Sequence, residues 1–206
     1  MENNLNIYHC EQGSEQWHDL RCGRITASKF KDMMAGLSTI GFKNLMFNTA
    51  GEIISREVEP SFTNDAMQRG IDLEPEARMF YEEINGIDVN EVGFVTNADI
   101  HPEYIGVSPD GMIESENGLL EIKCPKMHTH MAYTVNDRLP NEYKWQVQGQ
   151  LLITGAEYCD FMSYYPNIKP FIKRVLPDLE MHKEMLTRME LSIEEVKRII
   201  DIINRK

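Results

Sequence analysis

A short apolar strand carrying a charged pair constrains this chain more than any other stretch. Leu119 to Cys124 reads Leu-Leu-Glu-Ile-Lys-Cys and is followed by Pro125. A run that short and that apolar fits a buried strand, and a proline cannot continue a central ladder. Strand alternation puts Glu121 and Lys123 on one face, with Leu120 and Ile122 on the other. Upstream, Ser108-Pro109-Asp110-Gly111 has the punctuation of a sharp turn. A hairpin from Gly111 to Gly118 would return the chain and make Asp110 a neighbour of Glu121. Two carboxylates and the Ile122 carbonyl on one patch are hard oxygen donors, a set that suits magnesium or manganese. A lysine on that patch can orient or deprotonate a water, or stabilise an oxygen on phosphorus. The bland account is a salt-bridged Glu-x-Lys pair on an exposed strand. The apolar strand around the pair and the aspartate at hairpin distance favour the metal site.

The rest of the composition sets bounds. A chain of 206 residues, 42% apolar and 26% charged, fits one globular domain over residues 1–206. No apolar run is long enough to span a membrane, and the start of the chain lacks a signal-peptide pattern. Cys10, Cys22, Cys124 and Cys159 have neither zinc nor disulfide spacing and include no cluster for an iron–sulfur centre, so reduced cysteines in a cytoplasm are expected. The net charge of −12 argues against a protein that coats nucleic acid by charge alone. It does not oppose a metal enzyme, because a bound cation reverses the local field. Basic groups that could track a phosphate backbone flank the strand: Arg21, Arg24, Lys29 and Lys31 early, then Lys123, Lys126, His128 and His130.

Taken in order, residues 5 to 12 read as an extended lead. Ser14 to Arg21 is a short helix, with Trp17 expected in the core. Thr26 has the character of an N-cap before Phe30, Met33 and Met34. A helix start with the hydroxyls of Thr26 and Ser28 and with Arg21 nearby is a natural phosphate pocket. On the residues alone, an ordinary capped helix is the preferred account. Helices are expected over 42–58, ended by Glu59-Pro60, and over 64–84, with a break at Gly70. Glu74 stands four before Arg78, the spacing of an intrahelical ion pair. Strands are expected over 89–96 and 104–107. His128 and His130 read as exposed. Residues 141–153 form a helix on which Tyr143, Gln146 and Gln150 share a face. Residues 158–165 and 171–176 form a strand pair around Pro166-Asn167. From residue 177 on, one or two helices carry an apolar stripe of Leu186, Met189, Ile193, Val196, Ile199, Ile200 and Ile203, read as core.

Pro109-Asp110 with Glu121-Ile122-Lys123 resembles the motif of the PD-(D/E)XK nuclease superfamily. More narrowly, the chain is similar to the phage lambda exonuclease and YqaJ-type viral recombinase family. The matching pieces include Glu15-Gln16-Trp17-His18, Leu20-Arg21, Ile25-Thr26-Ala27-Ser28, Gly70, Glu74 and Ala77-Arg78. They go on through Ser108-Pro109-Asp110-Gly111 and Leu120 to Pro125, and end with Gln146-Val147-Gln148, in the family's order. Resemblance is slight between Ser28 and Gly70. It also lapses around the Gly111–Glu121 loop and over Lys126 to Arg138.

The resemblance implies an α/β fold: a restriction-endonuclease-like core with a mixed central sheet flanked by helices. It implies a metal-dependent exonuclease that degrades one strand of double-stranded DNA from the 5′ end, releasing 5′-mononucleotides and leaving a 3′ overhang. Asp110, Glu121, the Ile122 carbonyl and Glu74 would hold one or two Mg²⁺ ions, with Mn²⁺ as a substitute. Lys123 and Gln146 would complete the catalytic set. Arg21 and Ser28, joined by Ser108, would hold the 5′-terminal phosphate. The expected assembly is a ring-shaped homotrimer that hands the surviving strand to a single-strand annealing protein, in a phage or prophage setting. Two alternatives stay open: another endonuclease or repair nuclease of the superfamily, and a non-catalytic DNA-binding module. The intact Asp110, Glu121 and Lys123 weigh against the second.

Overall fold

The computed structural model describes residues 4–58 and 65–205. The expected helix stop at Glu59-Pro60 and the start at Asn64 lie outside them. The elements run β1 (Leu5–Tyr8), α1 (Glu15–Arg21), β2 (Ile25–Thr26), α2 (Phe30–Met33), α3 (Ile40–Ser55), α4 (Asp65–Asn85), β3 (Phe94–Asn97) and β4 (Ile105–Gly106). They continue with β5 (Gly111–Ile113), β6 (Gly118–Lys123), α5 (Met127–Asn136), α6 (Lys144–Thr154), β7 (Tyr158–Ser163), β8 (Phe171–Val175) and α7 (Leu179–Asn204).

The main sheet has the order β5-β6-β7-β8 and is mixed. β5 and β6 form the expected hairpin, with Gly111 opposite Leu120. Its turn closes on Asn117 in the left-handed region, at φ 49°. β6 and β7 run parallel, Glu121 beside Phe161, which requires the long crossover through α5 and α6. β7 and β8 are antiparallel. Two small pairs, β1 with β3 and β2 with β4, are tied in by bridges at Asn90–Met112 and Val95–Val107. The expected strand over 89–96 is therefore shorter and starts later, because residues 90–93 cross from the main sheet to the small one.

β6 is buried on both faces. Leu120 and Ile122 pack against Ala77 and Tyr81 of α4. Leu119 packs with Val147 and Leu151 of α6 and with Phe161 of β7. Each such side chain removed from water is worth about 1.5–3 kcal/mol, which pins the register of the strand. A third cluster joins Phe30, Met33, Phe42 and Met46 to Met185, Met189, Ile193 and Val196. α6 crosses this layer at Gly149, where a Cβ would come within 2.1 Å of the Phe30 ring. Only glycine permits that approach.

Several expectations are corrected by packing. α4 runs unbroken through Gly70 and even through Pro75, although proline removes one helical hydrogen bond. Docking of Ala77 and Tyr81 on the sheet holds it. Of the one or two helices expected from residue 177 on, a single one forms, Leu179–Asn204, capped by Asp178, whose Oδ1 accepts from Met181 N at 3.1 Å. Its buried stripe starts earlier than expected, at Met181 and Met185, and leaves Leu186 and Ile203 largely exposed. Thr26 does not cap a helix with its side chain: it ends β2 and precedes a single 3₁₀ turn. His130 is fully buried rather than exposed. Its Nδ1 lies 2.9 Å from Ser163 Oγ and its Nε2 3.2 Å from the Lys169 carbonyl. His128 is exposed, as expected.

Candidate metal centre and phosphate pocket

Glu121 faces α6 from the middle of the sheet and is completely buried. A lone carboxylate there would be very costly. Its Oε1 accepts from Gln146 Nε2 at 2.5 Å, its Oε2 accepts from Gln150 Nε2 at 2.7 Å, and it is ion-paired with the Lys123 ammonium. The shared face of Gln146 and Gln150 on α6 is thus explained by one acid. Gln150 is a partner of Glu121 that the resemblance did not name, and its four-residue spacing from Gln146 was the signal. Gln148 points elsewhere. Its side chain bonds the Leu176 carbonyl, the Asp178 N–H and the His182 ring, so it ties α6 to the start of α7.

Asp110 sits in the turn before β5. Its Oδ2 accepts from the Ile122 N–H at 2.6 Å, which locks it beside Glu121. Lys123 Nζ donates to the Ile122 carbonyl at 2.9 Å and lies 3.7 Å from Asp110 Oδ2. The two carboxylates and the carbonyl named from the sequence therefore converge on one cation. Burial works against the Lys123 charge, but Glu121 and Asp110 outweigh it and hold the ammonium above the usual lysine range. Glu121 is pushed up to about 7, first by burial and then by the negative charge of Asp110, with Lys123 and Gln150 opposing.

Glu74 joins this field from α4. Burial and the charge of Asp110 raise it to about 7 against Arg78 and Lys123. Its direct partner is Arg78 Nη2 at 3.0 Å, the intrahelical pair that the spacing predicts. Arg78 is also paired with Glu91.

Among the described residues, no three His, Cys, Asp or Glu side chains lie close enough to hold a metal by themselves. The donor set here is different: two carboxylates and a backbone oxygen, with Glu74 within electrostatic reach. Like charges driven together in a dry site favour a cation, and the Lys123 ammonium stands in for one. Hard oxygen donors around that focus fit a divalent ion of the magnesium type.

The second cluster forms where α1, β2 and the Ser108 turn meet. Arg21 stacks on Trp17, with its Cζ 4.0 Å from the ring centroid. Its Nη1 donates to Ser108 Oγ at 3.2 Å and its Nη2 to Thr26 Oγ1 at 3.2 Å. Ser28 Oγ lies 3.3 Å from Thr26 Oγ1. All three residues expected at a phosphate thus meet, joined by Thr26 and Trp17. Trp17 is half-buried rather than core, and its Nε1 donates to Ser108 Oγ and the Gly93 carbonyl, each at 3.0 Å. Burial lowers Arg21 to about 10, against the pull of Glu52. It remains a cation at neutral pH, surrounded by hydroxyls, which is how an anion is received. Arg24 is not part of this pocket: it donates to the Pro102 and Leu20 carbonyls.

The family model of the YqaJ-like viral recombinase domain matches residues 16–157. An alkaline exonuclease of Laribacter hongkongensis, LHK-Exo, superposes with a TM-score of 0.85 at 33% identity, over 93% of this chain and 97% of that one. Its complex with dAMP matches at a TM-score of 0.85 and 32% identity, over the same 93% and 97%. A phage related exonuclease of Haemophilus somnus shares the fold at a TM-score of 0.70 and 14% identity, over 87% and 96% of the two chains. An uncharacterized protein of Acanthamoeba polyphaga mimivirus is 28% identical over an alignment of 130 residues that covers 55% of this chain and 23% of that much longer protein. The family match over residues 16–157 takes in Trp17, Glu74, Asp110, Lys123 and Gln146, on the mixed α/β core of PD-(D/E)XK exonucleases, and this chain belongs to the YqaJ-like viral recombinase domain family.

Proposed function

We propose that the protein is a Mg²⁺-dependent DNA exonuclease that removes one strand of a duplex from its 5′ end. The observation that carries this reading is the convergence of Asp110, Glu121 and the Ile122 carbonyl on the Lys123 ammonium. Asp110, Glu121, the Ile122 carbonyl and Glu74 would hold one or two ions, with Mn²⁺ as a substitute. Bound metal would supply an activated water and offset the charge that builds on phosphorus.

The chain's own residues do the rest. Gln146 and Gln150 hold both oxygens of Glu121 and so fix the carboxylate in one orientation. Lys123, which Glu121 and Asp110 hold as an ammonium in the metal-free site, would orient the attacking water or stabilise the phosphate oxygens. Arg21, Ser28 and Ser108, with Thr26, take the 5′-terminal phosphate, which gives the enzyme its direction. Cleavage then releases 5′-mononucleotides and leaves a 3′ overhang. The related LHK-Exo has been captured with dAMP, a nucleotide of that kind. A homotrimeric ring, a single-strand annealing partner and a bacterial cytoplasm under phage or prophage control complete the reading. Among the described residues, no helix is long and apolar enough to cross a membrane.

The test is a Mg²⁺-dependent digestion of linear duplex phosphorylated at one 5′ end, beside closed circular duplex. Selective loss of the phosphorylated strand with the circle intact is expected. A nicked or linearised circle would move the protein to the endonucleases and remove the case for polarity. No cleavage of either substrate would leave a DNA-binding module.

A further inference from the structure

On α4, upstream of Glu74, lies an arginine that the site described so far does not use. Arg69 Nε and Nη2 are buried and have no hydrogen-bond partner among the described residues. A guanidinium offers five N–H donors, so leaving the three on these two nitrogens dry and unbonded is costly. The neighbouring carboxylates are already engaged. Asp72, one turn along the helix, accepts from Gln68 at 2.8 Å, and Glu74 accepts from Arg78 at 3.0 Å. Arg78 also has a buried Nε without a partner, but both Glu74 and Glu91 answer its charge.

What holds Arg69 is an aromatic ring. Its Cζ lies 4.7 Å from the centroid of Tyr165, just past the end of β7. Stacking of this sort fixes the plane of the guanidinium without consuming its N–H groups. Arg69 then lines a cleft of about 490 Å³ together with Gln68, Asp72 and Leu73. The cleft lies at the end of the strand that carries Glu121 and Lys123: Tyr164, next to the ring that holds Arg69, donates its N–H to the Lys123 carbonyl at 2.8 Å. In a chain of net charge −12, an unanswered cation at that place needs an anion.

We propose that Arg69 is a phosphate-binding residue, whose unpaired donors take a backbone phosphate of the DNA strand entering the metal site. The proposal rests on the nuclease reading above. It adds a contact distinct from the Arg21 pocket, on the opposite element, so that the strand would be gripped at its end and again beside the cut.

The experiment compares the full chain with Arg69→Met, which keeps the volume but removes the donors, and with Arg69→Lys, which keeps only the charge. Binding of 5′-phosphorylated duplex is measured in Ca²⁺ over a salt series, with steady-state cleavage in Mg²⁺ and thermal melts alongside. Arg69→Met is expected to bind duplex about tenfold more weakly. The slope of log affinity against log salt should become shallower by about one. KM should rise with kcat little changed, and Tm should hold or increase, because two buried nitrogens with unbonded N–H groups are gone. Arg69→Lys should fall in between. Binding of dAMP distinguishes two sources of the same chemistry: an equal loss would make the phosphate that of the released nucleotide, whereas loss with duplex only makes it that of the strand. Unchanged duplex and dAMP affinity with an unchanged salt slope would overturn the proposal, as would a lower Tm with an unaltered salt slope. If the unmodified chain neither binds nor cuts DNA, the nuclease reading fails first and Arg69 falls with it.

Discussion

Two neighbouring strands each bury an acid, and the two acids live in opposite conditions. Asp160 on β7 is beside Leu120 of β6 and faces α4, whereas Glu121 faces α6. Asp160 accepts from Tyr81 Oη at 2.7 Å and from Arg174 Nε and Nη2 at 2.9 and 2.8 Å. Arg174 in turn lies 3.5 Å over the Tyr158 ring. That charge is answered in full, and the hydrogen bonds with Asp160 hold Arg174 above its ordinary value. Glu121 is bonded just as thoroughly, yet burial and then the charge of Asp110 beside it keep its carboxyl raised. Bonding alone does not separate a structural acid from a functional one. On the proposed metal site, the separating feature is the like charge of Asp110 in a dry place, which a fold tolerates where a cation is to be bound.

The sharpest way to break this comparison is to neutralise each acid in turn. Glu121→Gln keeps the shape and removes one ligand charge. Mg²⁺-dependent cleavage is expected to fall by about 10²–10³ or more, while Tm stays level or rises. A Tm loss instead would make Glu121 as structural as Asp160. Lys123→Ala should lose cleavage on a similar scale with DNA binding largely retained, as read by a gel shift in Ca²⁺. Asp160→Ala should do the reverse. It leaves the Tyr81 hydroxyl buried without its acceptor, at a cost of about 1–3 kcal/mol in a denaturant melt, with KM for DNA unchanged.

Smaller effects sharpen the picture. Arg21→Ala should remove a preference of about tenfold for phosphorylated over unphosphorylated 5′ ends, measured as a ratio of initial rates. The smallest concerns acid stability. Burial lowers the pKa of His130 and of His182, against the Lys169 carbonyl in one case and Asp178 and Gln148 in the other. Below the ordinary histidine value of 6.5 the unfolded chain binds more protons than the folded one, so stability falls as pH drops through that window. His130→Gln should flatten this slope in melts taken between pH 7 and pH 5.5.

What the sequence determined by itself was local. Alternation along residues 119–124 and the turn residues at 108–111 placed Glu121, Lys123 and Asp110 together, because a hairpin is a short-range object. Four-residue spacing put Gln146 and Gln150 on one face and paired Glu74 with Arg78. Tertiary structure decided the rest. Arg21 and Ser108 are 87 positions apart, and only the docking of α1 against the 108 turn makes them bond. Trp17 became a platform for Arg21, and Thr26 a pocket hydroxyl rather than a cap, for the same reason. His130 looked like surface from its neighbours, but the end of β7 and the Lys169 carbonyl close over it. Asp160 and Arg69 carried no local signal at all. A residue's spacing fixes which way it points along its own element, and the environment it meets there depends on which distant element packs against it.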